Sequence, residues 1–210
     1  MHSLSVADLQ DSEQFDRLTT LGHTEIAAFA KEYYWLRRSW ITWAHYALSI
    51  VILAALLRVG FVEHLGFDAW MTRFGNAVLS FIVLLPLHEW LHGVAYRLHG
   101  ARDIRYGVNL RKLYAYAVAH NFVIGRRGFA WVAITPFLVI TAGLVVATVI
   151  FDAHRFFLAG VLLLHTAGTS GDFAMLNYLW LHSHREVYTY DDADSHTSYF
   201  YARRCSATPR

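Results

Sequence analysis

The sequence predicts an all-α membrane protein of four transmembrane helices, with a small cytoplasmic β-hairpin between spans 2 and 3. Three observations lead there. Of 210 residues, 56% are hydrophobic and only 16% charged, too apolar a balance for an ordinary soluble domain. Four apolar runs come close to the roughly 20 residues that a bilayer requires. Between the second and third runs, two short stretches alternate with period 2, the spacing of strands.

Residues 1–39 read as a cytoplasmic or interfacial segment, 40–181 as the four-span membrane domain, and 182–210 as a polar cytoplasmic tail. Met1 to Asp8 has no basic region followed by an apolar core, so no cleaved signal peptide is expected. Thr24 to Tyr34 reads as a short helix: Ile26, Phe29, Ala30 and Tyr33 share a face. It would lie at the membrane surface beside an aromatic belt of Trp35, Trp40 and Trp43.

Trp40 to Leu57 is the first span, and its His45 reads as a structural histidine. Arg58 to Phe74 reads as a loop. Asn76 to Leu98 is the second span, with Pro86 either loosening the helix or serving packing. In the Gly100–Gly128 stretch, Tyr106, Val108 and Leu110 alternate with Arg105, Gly107 and Asn109. Tyr114, Tyr116, Val118 and His120 alternate with alanines in the same way. These runs make the hairpin, which either caps the bundle or offers an edge to an extended peptide. Gly128 to Phe151 is the third span and Phe156 to Leu181 the fourth.

Orientation follows from basic residues. All 18 Lys and Arg except Arg58, Arg73 and Arg155 fall in the N-terminal segment, the hairpin region or the tail. An even number of spans then puts both termini and the hairpin in the cytoplasm. A net charge of only +2 gives no reason to expect a nucleic-acid partner; the expected partner is the lipid bilayer. The single cysteine, Cys205, excludes an intrachain disulfide and a cysteine-based zinc site.

The chemistry concentrates in Leu85-Pro86-Leu87-His88-Glu89-Trp90-Leu91-His92-Gly93. Four residues apart on a helix, His88 and His92 stand one turn above each other and can share one Zn²⁺. Glu89 projects about 100° round the helix, where it can take a proton from a water without being a ligand. His99 falls one residue too late to be the third ligand of a metzincin-type motif, since that position is Leu98.

Apart from Glu89, Asp172 is the only carboxylate inside a predicted span, and ionisable groups at membrane depth need partners. Counted from the cytoplasmic ends, Asp172 lies about 14 Å deep, and His92 and His88 about 10 and 16 Å. Matching depth makes Asp172 either the third ligand or a carboxylate that orients one of the histidines. His165, seven residues before Asp172, reads either as an auxiliary group that stabilises an oxyanion or as a hydrogen bond between helices. His120 either lines the site or packs beside it.

A membrane-embedded His88-Glu89-Trp90-Leu91-His92-Gly93, a strand-like insert and a later Gly171-Asp172 resemble the site-2-protease-like membrane zincins. The nearest resemblance is to a family of small bacterial membrane proteins called Putative zincin peptidase, over about Asn76 to Leu181. It implies that His88, His92 and Asp172 bind zinc and that Glu89 activates water. Site-2 proteases carry an Asn-Pro upstream of a Leu-Asp-Gly. Here the order is Gly171-Asp172-Phe173, and His165 stands in the approximate region of that Asn. The expectation is a zinc-dependent intramembrane endopeptidase of the bacterial inner membrane, acting on a membrane protein or peptide. The alternative is a non-catalytic metal-binding membrane scaffold or regulator.

Overall fold

The computed structural model describes residues 4–109 and 114–204. Among these, seven α-helices and six strands occur, which corrects the all-α expectation. The fold is mixed α/β with two antiparallel sheets, and three helices rather than four are long and apolar enough to cross a membrane.

The N-terminal segment forms α1 (Val6–Leu9), β1 (Phe15–Gly22) and α2 (Ile26–Ala30), continued by a π-helical turn over Lys31–Leu36. Ser39 caps α3 (Trp40–Val62), its hydroxyl accepting from the Ile41 N–H. The stretch read as a loop is almost wholly helical: α4 runs from Phe67 to Leu98, through Pro86. Its 32 residues extend about 48 Å, longer than the hydrocarbon core. The His-Glu-x-x-His motif lies in its last third. After the hairpin, α5 spans Arg126–Ile150.

The fourth apolar run is two helices, α6 (Arg155–Gly168) and α7 (Ser170–Leu181), of 14 and 12 residues. Neither alone reaches spanning length. The break falls at Thr169, whose hydroxyl bonds back to the Thr166 carbonyl at 2.7 Å; such side-chain bonding competes with the helix ladder. Small residues bring α6 against α4. A Cβ on Gly160 would meet the Ala77 methyl at 3.0 Å, and one on Gly168 would press on the Phe81 ring at 2.8 Å. Gly171 contributes nothing to this approach, since its Cβ would find no atom within 4 Å.

The expected hairpin is present as β2 (Ile104–Asn109) and β3 (Tyr114–Ala119), in register from Ile104↔Ala119 to Asn109↔Tyr114. Residues 110–113, between the two strands, and Cys205 lie outside the described residues. The larger sheet was not expected. The tail forms β5 (Val187–Asp192) and β6 (Thr197–Arg203), β6 pairs with β1, and β4 (Ile124–Gly125) adds to β5, giving the order β1-β6-β5-β4. The first and last segments of the chain therefore share one sheet, at the end of the helices where α3 and α5 begin and α4 and α7 finish.

Burial holds this layer to the helices. Tyr178 of α7 is fully buried, with the rings of Tyr33 and Phe200 at 5.0 and 5.1 Å. Each such aromatic contributes about 1.5–3 kcal/mol by leaving water. Asn177 donates to the carbonyls of Tyr33 and Arg37 at 2.6 and 2.5 Å. Trp35, Trp40 and Trp43 remain exposed.

Candidate metal centre

The first two members of the site share a helix face because a turn of α4 separates them. The His88 and His92 Nε2 atoms are 3.1 Å apart. The break at Thr169 starts α7 beside them, and Asp172 in its first turn divides its two oxygens between them. Oδ2 lies 3.2 Å from His88 Nε2 and Oδ1 lies 3.3 Å from His92 Nε2. Both imidazoles are nine-tenths buried.

His92 has its tautomer fixed by a carbonyl: Nδ1 donates to Val132 O on α5 at 2.9 Å, which leaves the Nε2 lone pair facing the cluster. A second ring nitrogen and a carboxylate face the same point. Among the described residues no Lys or Arg pairs with Asp172.

This donor set fits Zn²⁺. Tetrahedral bonds of about 2.0–2.1 Å separate neighbouring ligand atoms by about 3.3 Å. The two Nε2 atoms, 3.1 Å apart, are near that spacing, and each has an Asp172 oxygen at 3.2 or 3.3 Å, so the two imidazoles and the carboxylate can share one ion and leave a further position to a water or substrate. Fe²⁺, Co²⁺ and Mn²⁺ accept the same donor types.

Glu89 faces a cavity of ≈ 480 Å³ that both histidines and Asp172 also line. The Ala117 N–H of β3 hydrogen-bonds to its carboxylate. The hairpin is held there by close packing, since a Cβ on Gly93, next after the motif, would run into the Tyr106 hydroxyl.

The other predicted residues divide. His165 lines the same cavity, 2% exposed, its ring centroid 5.7 Å from that of His88. Neither of its nitrogens has a hydrogen-bond partner among the described residues. His120 is elsewhere, 3.8 Å from Asp192 and 3.6 Å from Asp194. His45 is structural: Nδ1 meets the Tyr34 hydroxyl at 2.5 Å, Nε2 meets Thr166 O at 3.0 Å, and its ring stacks on Phe173.

Sequence reasoning missed the residues that close the cavity from the sheet side, among them His23, Asp191 and Ser198. Asp191 falls in the stretch 182–210 that reads as a polar cytoplasmic tail. Its flanking Val187-Tyr188-Thr189-Tyr190 and Tyr199-Phe200-Tyr201 are β-branched and aromatic, with polar turn residues between, and that pattern signals a strand pair.

A protein-family model described as Putative zincin peptidase matches residues 81–185. These are half of the chain and include the motif, His165 and Asp172. No curated protein and no solved structure matches.

Proposed function

The chain belongs to the Putative zincin peptidase family, and from that premise we propose that it is a zinc-dependent intramembrane endopeptidase cleaving membrane-anchored peptide segments. The observation that carries this reading is the convergence of His88, His92 and Asp172 beside Glu89 in one cavity. In this proposal those three residues are the metal ligands.

Bound there, Zn²⁺ supplies Lewis-acid polarisation of a carbonyl and brings the pKa of water to about 7. Glu89 accepts a proton from the attacking water as the water oxygen bonds to the scissile carbonyl carbon, and then passes that proton to the amine nitrogen, which leaves as the C–N bond breaks. The Ala117 N–H orients the Glu89 carboxylate for this transfer. His165 donates to the scissile carbonyl oxygen as negative charge gathers on it. In support, a 2%-exposed imidazole with two unpartnered nitrogens needs a polar partner. The substrate lies extended in the cavity between α4 and β3.

We place the protein in the bacterial inner membrane with both termini in the cytoplasm. In support, β1 pairs with β6, and most of the basic residues fall in the N-terminal segment, the hairpin region and the tail.

The test is Glu89→Gln in detergent-purified protein, assayed on a fluorogenic peptide library with zinc measured in parallel. The expected result is about one zinc per chain in both proteins and a rate reduced at least about 100-fold in the variant. Unchanged cleavage would remove Glu89 from its role. Zinc bound with no cleavage by wild type would favour the scaffold alternative.

A further inference from the structure

A second carboxylate faces the cavity, and the metal cluster does not use it. Asp191, on β5, is 6% exposed. It accepts from the Tyr96 hydroxyl at 3.2 Å, from the Ser198 hydroxyl at 2.5 Å and from the Ala119 N–H. All three donors are neutral, and among the described residues no cation pairs with it. A carboxylate has about four acceptor positions, so one remains, and a buried charge without a counter-charge is costly.

His23 lines the same cavity. It is 5% exposed, it packs on the Tyr116 ring at 4.7 Å, and its Nδ1 has no partner among the described residues. Burial, aided by the nearby His196, holds its pKa below the ordinary 6.5. The ring is therefore neutral, and one tautomer offers Nδ1 as an acceptor. Asp191, Ser198 and His23 thus present acceptors to one cavity wall.

Strand geometry gives this wall a register. Residues 117 and 119 of β3 have the same parity, so their N–H groups leave the same edge. One reaches Glu89 and the other reaches Asp191. The separation along the strand is two residues, about 7 Å. An extended peptide running along the cavity parallel to β3, with its scissile bond at Glu89, brings a group two residues away to Asp191.

We propose that Asp191, with Ser198 and His23, forms a subsite for a primary ammonium group of the substrate, two residues from the scissile bond. The proposal rests on the metallopeptidase reading for the scissile position. An ammonium group has three N–H donors and one positive charge, which match the acceptors and the uncompensated carboxylate. Its source is either a free peptide N-terminus or a lysine side chain.

The test uses three extended Leu/Ala hexapeptides carrying a C-terminal fluorophore: one with a free N-terminus, one N-acetylated, and one N-acetylated with a lysine. Binding to full-length protein in detergent, in the Glu89→Gln background, is followed by anisotropy. Cleavage by wild type is followed by mass spectrometry. The expected result is that at least one ammonium-bearing peptide binds about tenfold or more tighter than the plain acetylated one. Which peptide does so identifies the source of the ammonium. Asp191→Asn should bring the peptides within about twofold of each other. His23→Phe, which keeps the ring against Tyr116, should narrow the gap in part and guards against misfolding of the first variant.

Equal binding of all three peptides, no binding of any, or a preference that survives Asp191→Asn overturns the subsite. Cleavage without an ammonium preference overturns the subsite and keeps the peptidase. An Asp191-dependent preference without any cleavage keeps the subsite and overturns the peptidase.

Discussion

Two groups of histidine and aspartate could hold a metal among the described residues, and they differ in burial, donor spacing and existing partners. His88, His92 and Asp172 are held by two long-range helix contacts, are largely buried, and point their donor atoms at each other across 3.1–3.3 Å. His120, Asp192 and Asp194 sit on the hairpin end and the β5–β6 turn at 3.6–3.8 Å. There Arg105 already neutralises Asp194 at 2.6 Å, and His120 Nδ1 already accepts the Ala193 N–H at 3.1 Å. Asp192 accepts from the N–H groups of Asp194 and Ser195. The second group is a satisfied turn, while the first has converging lone pairs and no partner but a shared proton or a cation. Composition alone does not separate them; unspent acceptor capacity does.

The largest test of this contrast is metal content. His92→Ala or Asp172→Ala should take bound zinc from about one per chain to none under dialysis, read by elemental mass spectrometry; loss of one ligand or its orienting group typically costs 10–100-fold or more in affinity. If Asp172→Ala retains zinc, the carboxylate orients the histidines instead of binding. His120→Ala should leave zinc unchanged, and loss there would reverse the comparison.

β3 links the two groups, and Gly93 sets its distance from α4. Gly93→Ala should destabilise the protein by about 1–3 kcal/mol by driving the Tyr106 hydroxyl away, seen as a lower melting temperature. Adding Tyr106→Ala should recover part of the loss. An unchanged melting temperature in the single variant would mean that the hairpin floats over the helix.

A smaller effect concerns the sheet. Asp16 of β1 is bonded to Arg185 and Arg204, each at 2.6 Å, and those hydrogen bonds hold its carboxyl below the ordinary 3.8. A depressed pKa in the folded state stabilises above the unfolded value, and that contribution is lost as pH falls through the folded one. Wild type should therefore lose more stability than Asp16→Asn below about pH 3.8. Because Asp16 is half-exposed, the difference should be small and should shrink in salt. Parallel acid-melting curves for the two proteins would show that these ion pairs contribute nothing.

Much of the helical half was legible. Apolar length marked α3, α4 and α5 as membrane candidates. Period-2 alternation gave the β2–β3 hairpin nearly to the residue. The break at Thr169 was visible only as polar residues in an apolar run, because the cost of interrupting a helix depends on what covers the freed groups. The larger sheet was the main loss. β5 buries most of its residues on both faces instead of alternating, so it carries no period-2 signature. β1 reads as polar from its own residues, and the partner that makes it a strand lies more than 170 residues away.

The sequence by itself determined what one turn of helix can determine: that His88 and His92 are neighbours and that Glu89 stands beside them, since 3.6 residues per turn permits nothing else. Tertiary structure decided the rest of the cavity. Asp172 reaches the histidines because glycines let α6 pack against α4 and the break at Thr169 starts α7 beside them. Asp191 and His23 reach the cavity because the two ends of the chain pair in one sheet. Such contacts depend on the burial of many distant groups at once, and no local pattern along the chain encodes them.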